Sequence, residues 1–109
     1  MLINDYQVAA NKTAIYPNKG NNIFYPTLGL VGEAGEIANK VKKIMRDCNG
    51  KMTPKMKQDL KNEVGDVLWY IAALCTELDV SMEEIAFYNL EKLKKRQERG
   101  TLAGSGENR

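Results

Sequence analysis

The chain has 109 residues, of which 28% are charged and 43% apolar, and its formal net charge is +2. This length corresponds to one domain with a small core, a size that favours association with further copies. The near-neutral charge argues against a nucleic-acid-binding protein. No apolar run reaches the roughly 18 residues of a transmembrane helix, and the N-terminus lacks the features of a secretion signal. We therefore expect a cytoplasmic protein without a membrane partner.

Histidine and cysteine usage narrows the possible metal chemistry. The chain contains no histidine, and Cys48 and Cys75 form neither a C-x-x-C pair nor a zinc spacing. We expect both thiols to be reduced, with Cys75 in the core. Zinc hydrolases and di-iron bundles with Glu-x-x-His motifs use imidazole ligands, so a chain without histidine is not expected to belong to either class. A metal site here would use oxygen ligands only, which suits Mg²⁺ or Mn²⁺.

The N-terminal region predicts a short helix followed by a loop. Asn4 followed by Gln7 resembles a capping box, and the helix is expected to run from Asp5 to Ala14, before Pro17. Residues 17–26 contain the Pro, Gly and Asn residues that are typical of a loop. The apolar residues of this loop are Ile23, Phe24 and Tyr25. They either pin the loop to the core, as apolar loop residues usually do, or stack on a nucleobase.

The second predicted helix begins at Thr27, as its N-cap, extends to Arg46 and is ended by Asn49-Gly50. Its core stripe recurs at helical spacing and consists of Leu30, Ala34, Ile37, Val41 and Ile44. Three glycines also recur at i+3, namely Gly29, Gly32 and Gly35. Each costs about 1 kcal/mol relative to alanine in a helix. The row therefore predicts either the close approach of another backbone or an exposed face that tolerates glycine.

The third predicted helix begins at Thr53-Pro54, a capping residue followed by proline at the first helical position. From Leu60 to Leu78 the sequence is apolar almost all round. A helix with this pattern is central, buried by its own chain on one side and by a second subunit on another. Trp69 and Ile71 are among the residues that three other short helices cannot all cover, so we expect an obligate oligomer.

A fourth helix is predicted after the tight connection at Asp79-Val80. Ser81 and Glu84 form a capping box, and Gly100 ends the helix. Its inner edge is expected at Ile85, at Tyr88 or Asn89, and at Leu93. Its basic residues are expected to be mostly a solvated face, and they are Lys92, Lys94, Lys95, Arg96 and Arg99. Because no segment alternates as a strand does, the predicted fold is all-α, a four-helix bundle completed by oligomerisation.

Two acidic motifs lie within these apolar helices, Glu33-Ala34-Gly35-Glu36 and Glu63-Val64-Gly65-Asp66. Each places carboxylates at i and i+3, on one side of a helix and about 5–6 Å apart at Cβ. Two such helices side by side would aim four carboxylates at one point. Because several anions cannot share a partly desolvated site without a cation, the motifs predict a metal site.

Lys40 lies one turn after Glu36 on the same predicted helix. Its ammonium could reach a phosphate group, or it could form a solvated i, i+4 ion pair with Glu36. The sequence leaves both alternatives open.

The residues around the acidic motifs resemble a known family. Two segments carry the resemblance: Gly-Leu-Val-Gly-Glu-Ala-Gly-Glu-Ile-Ala-Asn-Lys at 29–40, and Asn-Glu-Val-Gly-Asp-Val-Leu-Trp-Tyr-Ile-Ala at 62–72. They are similar to motifs of the MazG-like nucleotide pyrophosphohydrolases, an all-α nucleoside triphosphate pyrophosphatase group. That group carries Glu-x-x-Glu, a spacer and Glu-x-x-Asp. The similarity extends to Asn89-Leu90-Glu91-Lys92-Leu93 and to the Gly-Ser-Gly-Glu-Asn-Arg ending.

What the resemblance implies is Mg²⁺-dependent hydrolysis of a nucleoside triphosphate between the α and β phosphates, giving a monophosphate and pyrophosphate. The metal ligands would be Glu33, Glu36, Glu63 and Asp66, with Mn²⁺ able to replace Mg²⁺. The catalytic residues would be Glu36, as the general base, and Glu33, although nothing in the sequence separates Glu36 from its neighbours. The substrate-binding residues would be Lys40, Asn89, Lys92, Arg96 and Arg109. The expected assembly is a homodimer or homotetramer.

Residues 101–109 are expected to form a Gly-rich tail after a helical domain spanning 1–100. The tail has no core residue except Leu102, which predicts disorder. Alternatively, its glycines let the backbone approach a bound polyphosphate, and Arg109 adds a charge-assisted contact.

Two other function classes stay open from the sequence. One is a non-catalytic helical module that binds nucleotide or a partner protein, although all four carboxylates are present. The other is a helical DNA-binding protein, which the near-neutral charge disfavours.

Overall fold

The structure, a computed structural model, describes residues 1–100, and this part of the chain forms four α-helices. Helix α1 spans Ile3–Lys12, α2 Phe24–Cys48, α3 Pro54–Glu77 and α4 Met82–Glu98. No strand occurs within residues 1–100, so the all-α fold with four helices is confirmed. None of these four helices is both long and apolar enough to span a membrane.

Helices α2 and α3 form the main packed pair of the fold. One side of α2 is buried or half-buried at every third or fourth residue, at Pro26, Leu30, Glu33, Ile37, Lys40 and Ile44. This spacing matches one face of a helix, and that face meets α3. Ala34 and Val41, which were predicted to belong to the core stripe, are exposed instead. The buried face therefore contains two charged residues, Glu33 and Lys40, and lacks the two predicted apolar residues, Ala34 and Val41.

The apolar core lies between α1, the second half of α3 and the start of α4. Ala10, Ala72, Cys75 and Met82 form one buried cluster, and Ala14, Tyr16 and Ala73 form another. Trp69 packs against both clusters. Cys75 lies in the core as predicted, and both cysteines are free thiols.

The predicted capping box at the start of α1 is wrong. Asn4 and Gln7 instead bind the first turn of α4, because that turn has N–H groups without helical partners. The Met82 N–H donates to Gln7 Oε1 at 2.8 Å, and the Glu83 N–H donates to Asn4 Oδ1 at 3.2 Å. Gln7 Nε2 also donates to the Val80 carbonyl at 2.9 Å. These bonds fix α1 against the turn that begins α4.

Helix α2 begins at Phe24 rather than at the predicted cap Thr27. Its N-cap residue is Ile23, whose side chain makes no capping bond, and Asn22 just before it accepts from the Tyr25 N–H through Oδ1 at 3.1 Å. Pro26 fits within the first turn, where no helical acceptor exists for a backbone N–H. Thr27 lies inside the helix, and its hydroxyl donates to the Ile23 carbonyl at 2.7 Å.

The other predicted helix boundaries are close to those observed. Thr53 Oγ1 accepts from the Met56 N–H at 3.2 Å at the start of α3, and Ser81 Oγ accepts from the Glu84 N–H at 3.0 Å at the start of α4. After α2, Asn49 and Gly50 have φ angles of 54° and 77°, the left-handed region that ends helices.

Glu77, at the end of α3, holds the segment that leads into α2. Its carboxylate accepts from the Asn22 N–H at 2.5 Å, from the Gly20 N–H at 2.8 Å and from the Tyr16 hydroxyl at 2.8 Å. Burial raises the pKa of Glu77, but these hydrogen bonds outweigh burial and the net shift lowers it. The sequence analysis assigned no role to this residue.

Candidate metal centre

Three of the four predicted metal ligands meet between α2 and α3. One carboxylate oxygen from each of Glu33, Glu63 and Asp66 lies within 4.8 Å of the others. Glu33 comes from α2, and the other two come from neighbouring turns of α3, so the cluster depends on the pairing of these helices. Glu33 and Glu63 are half-buried, whereas Asp66 is exposed. The cluster is therefore accessible from solvent on its Asp66 side.

Glu36, the fourth predicted ligand, is exposed and lies outside this three-carboxylate group. Three residues along an α-helix correspond to a rotation of about 300°, so Glu36 is turned about 60° from the side on which Glu33 meets α3. Its charge still contributes to the environment of Glu33. Glu36 thus borders the cluster, and its roles as ligand and base stay predictions.

The carboxylates of the cluster repel one another. A hydrogen bond with Glu63, burial, and the charges of Asp66, Glu63 and Glu36 together raise the pKa of Glu33. A cation among these carboxylates would favour their charged forms.

The donor set fits a hard divalent cation. Ligands of one octahedral Mg²⁺, each about 2.1 Å from the ion, are about 3.0 Å apart when adjacent and about 4.2 Å apart when opposite. The three carboxylate oxygens lie within 4.8 Å of one another, so the side chains would have to move closer together to share one ion. All three ligands are oxygens, the type that Mg²⁺ and Mn²⁺ prefer.

Lys40 pairs with the cluster across the helix interface. Its Nζ is 3.7 Å from Oε1 of Glu63 on α3. The predicted i, i+4 pair with Glu36 on the same helix is therefore not the one that forms. Lys40 also lines a cavity of about 190 Å³ with Lys43, Ile44, Asp47, Cys48, Met56 and Asp59.

An aromatic wall lies beside the carboxylates. Glu33, Asp66, Trp69 and Tyr70 line an open cavity of about 330 Å³. Trp69 is fixed by a hydrogen bond from its Nε1 to Thr13 Oγ1 at 2.8 Å, and the Tyr70 ring lies edge-on to it at 5.1 Å. Burial, with smaller effects of Tyr25 and Glu33, raises the pKa of Tyr70, so its hydroxyl stays protonated. Trp69 was predicted only as part of the apolar surface that an oligomer buries, although both rings follow Asp66 by about one helical turn.

The glycine row in α2 is an exposed face at Gly32 and Gly35, one of the two predicted alternatives, and only Gly29 is closely approached. A Cβ at Gly29 would collide with the Tyr70 ring, so this glycine admits an aromatic side chain rather than a backbone. A Cβ at Gly32 or Gly35 would meet nothing within 4 Å. Gly29 therefore helps to place Tyr70 at the cavity.

The apolar residues at the start of α2 divide between packing and exposure. Tyr25 stacks on Tyr16 with ring centroids 4.7 Å apart and lies 6.4 Å from Tyr70. Phe24 is 73% exposed and does not pin this segment to the core.

The predicted substrate-binding residues of α4 do not line the carboxylate cavity. Asn89 lies in a separate groove with Ile71, Cys75 and Met82. Lys92 is half-buried and Arg96 is buried, so the predicted solvated face is wrong for Arg96. The predicted inner edge is also wrong at two of its three positions, since Ile85 is exposed and so are Tyr88 and Asn89, the two alternatives for the second position, whereas Leu93 is half-buried. Arg109 and the rest of the predicted tail lie outside the described residues.

Comparison with known proteins identifies the family of this chain. The family model of the MazG nucleotide pyrophosphohydrolase domain matches residues 26–101, which contain both acidic motifs. The chain is also 51% identical over 114 residues to the Gene 37 protein of Mycobacterium phage L5, with both chains covered in full, and that name states no activity. No solved structure matches the chain. From the match over residues 26–101, the chain belongs to the MazG nucleotide pyrophosphohydrolase domain family.

Proposed function

We propose that this protein hydrolyses a nucleoside triphosphate at the α–β phosphate bond, in a Mg²⁺-dependent reaction that yields a nucleoside monophosphate and pyrophosphate. The observation that carries the proposal is the three-carboxylate cluster next to an aromatic-lined cavity. Carboxylates suit the cation that accompanies a polyphosphate. Aromatic rings offer a stacking surface for the nucleoside. The polyphosphate of a nucleotide would therefore lie at the carboxylates, and its base would lie on the aromatic rings.

In this proposal Glu33, Glu63 and Asp66 would hold the cation, with Glu36 as the fourth ligand at the edge of the cluster, and two of these carboxylates would also take part in the reaction. When bound, Mg²⁺, or Mn²⁺ in its place, would neutralise polyphosphate charge and make the attacking water more acidic. Glu36 accepts the proton of that water, and Glu33 is the second catalytic carboxylate. Water attacks the α phosphorus, and pyrophosphate leaves with the bridging oxygen.

The remaining substrate contacts require an assembly. Lys40 is at the cluster, but none of the residues that line the carboxylate cavity comes from α4 within residues 1–100. Asn89 and Lys92 would therefore serve the site of a neighbouring subunit, in a homodimer or homotetramer, and Arg109 would complete the set. Arg96 is 3% exposed and would have to leave its buried position to join them. Residues 1–100 would be the catalytic domain and 101–109 its tail. A nucleotide substrate also suits a cytoplasmic location.

The proposal is tested by pyrophosphate release from a panel of ribo- and deoxyribonucleoside triphosphates, with Mg²⁺ and with EDTA. We expect metal-dependent release of pyrophosphate together with the monophosphate. Glu63→Gln should abolish release, whereas Glu84→Gln, which changes an exposed glutamate of α4, should not. Release of orthophosphate and a diphosphate would contradict the proposed bond. Nucleotide binding without turnover would favour the non-catalytic module.

A further inference from the structure

We infer that Lys40 is a displaceable counter-cation of the metal centre. In the structure its ammonium pairs with Glu63, and metal binding would move it to the polyphosphate of the substrate. This inference rests on the proposed function, because the metal and the polyphosphate are those of that reaction.

The position of Lys40 on α2 brings it to the cluster. It follows Glu33 by seven residues, about two turns, and so lies on the same side of the helix. Its Nζ is 3.7 Å from Oε1 of Glu63, and the two side chains are 37% and 18% exposed. Carboxylate oxygens of Glu63, Glu33 and Asp66 also lie within 4.8 Å of one another. One carboxylate therefore links the ammonium to the group of ligands.

A divalent cation and the ammonium compete for this carboxylate. Both are positive, and two cations held by one carboxylate repel each other at short range. Lysine has a flexible four-carbon stem, so its charge can move without a change in the helix. Metal binding at Glu63 should therefore release the Lys40 ammonium.

The order of residues along the helix pair indicates where the released ammonium goes. The aromatic wall of Trp69 and Tyr70 lies on one side of the carboxylates, and Lys40 lies in the direction of the α2 C-terminus. A nucleotide with its base on the wall and its α phosphate at the cluster would extend its β and γ phosphates towards Lys40. The cavity beyond is lined by Asp47 and Asp59, which repel phosphate, and by Lys43 as well as Lys40. Lys40 is the lysine of this lining that pairs with a carboxylate of the cluster, so it is the group that receives the pyrophosphate end.

The test uses one substitution with two opposite effects. Lys40→Met removes the charge and keeps a similar stem. We expect it to bind Mn²⁺ about two- to fivefold more tightly than the wild type without nucleotide, the scale of a partly exposed ion pair. With saturating Mg²⁺, it should bind a nucleoside triphosphate that has an imido group between the α and β phosphorus atoms about fivefold more weakly or worse. Calorimetry measures both affinities.

Two control variants separate this exchange from general charge effects. Lys43 is an exposed lysine one turn after Lys40 and has no ion pair with the cluster. Lys43→Met therefore removes the same charge from a neighbouring position and should change Mn²⁺ affinity by less than about twofold. Lys40→Arg keeps the charge and should keep an Mn²⁺ affinity near that of the wild type. Circular dichroism checks the fold of each variant, and Lys40→Gln replaces Lys40→Met if the latter does not fold.

The outcomes distinguish this inference from the proposed function. An unchanged or weaker Mn²⁺ affinity of Lys40→Met overturns the counter-cation role, even if the wild type releases pyrophosphate. An equal gain in Lys43→Met also overturns it. If the wild type neither binds Mn²⁺ nor releases pyrophosphate, the proposed function fails and the inference fails with it.

Discussion

Glu33 is the residue at which the repulsion within the cluster is concentrated. The pKa of its carboxyl is raised, first by the hydrogen bond with Glu63 and then by burial and three neighbouring charges. For an acid with a raised pKa, folding favours the protonated form, so ionisation above the ordinary value of 4.5 lowers stability. A neutral side chain of the same shape removes this penalty.

Glu33→Gln should therefore lower pyrophosphate release by at least about tenfold, since loss of a metal ligand costs no less than loss of a supporting residue. Its melting temperature in EDTA should be unchanged or higher than that of the wild type. Glu36→Gln, Glu63→Gln and Asp66→Asn should lower activity in the same way without unfolding the protein. If the acids are structural ion-pair partners instead, melting temperatures would fall and catalysis would persist.

A second prediction about a single residue concerns Gly29. Gly29→Ala would push a methyl group into the Tyr70 ring, which also contacts Trp69 and the cavity. We expect a loss of about 1–3 kcal/mol of unfolding free energy, the usual cost of overpacking, together with reduced activity. Gly32→Ala is the matched control because its Cβ would enter open space. It should gain up to about 1 kcal/mol from helix propensity, and thermal unfolding of both variants tests the contrast.

At the scale of helices and loops, Glu77 connects the end of α3 to the segment before α2. Glu77→Gln should lower the free energy of unfolding by about 1–2 kcal/mol at pH 7, because hydrogen bonds to a charged acceptor are weakened and the group is partly solvated. The pKa of Glu77 is lowered in the folded protein, so its contribution is complete above the ordinary value of 4.5 and is lost as pH falls through the lowered value.

The control for this prediction is the pH dependence of the stability difference between the two proteins. The stability difference between the wild type and Glu77→Gln should shrink below about pH 4.5, as measured by denaturant unfolding at pH 7 and at about pH 3.5. A difference that stays constant over this range would mean that the charge of Glu77 contributes nothing to the loop.

The helices were predictable from local patterns, because caps, proline and left-handed residues act within a few positions of the chain. Thr53, Ser81 and Asn49-Gly50 behave as expected. The errors arise where partners are distant in sequence. Asn4 and Gln7 look like a cap for α1, but they bind α4, about 75 residues later. No local pattern contains that contact.

The same contrast between local patterns and contacts distant in sequence holds for the candidate site. The i, i+3 spacing correctly places Glu63 and Asp66 together and aims Glu33 at them. The register between α2 and α3 decides the rest: it pairs Lys40 with Glu63 and leaves Glu36 at the edge. It also brings Gly29 against Tyr70. These cross-helix contacts depend on how two helices slide along each other, which the spacing within each helix does not specify.

At the scale of the whole molecule, one chain leaves much of its apolar surface uncovered. Trp69 and Ile71, the residues that suggested an oligomer from the sequence, are half-buried within their own chain. The exposed residues lie elsewhere, most clearly on the side of α2 opposite α3. This outer stripe consists of Phe24, Leu28, Val31 and Met45, which are 66–76% exposed. The radius of gyration is 16.9 Å, against about 13 Å for a compact domain of this length.

We therefore expect the wild type to be a dimer or tetramer at micromolar concentration, since burial of each large apolar side chain contributes about 1.5–3 kcal/mol. Leu28→Glu places a charge in the middle of the outer stripe and should dissociate the assembly, whereas Asn39→Glu, at an exposed polar position of α2, should not. Light scattering measures the mass of each variant. A folded wild-type monomer at this concentration would contradict the expectation, because the outer stripe would then be stable in water and the residues of α4 could not reach a neighbouring metal centre.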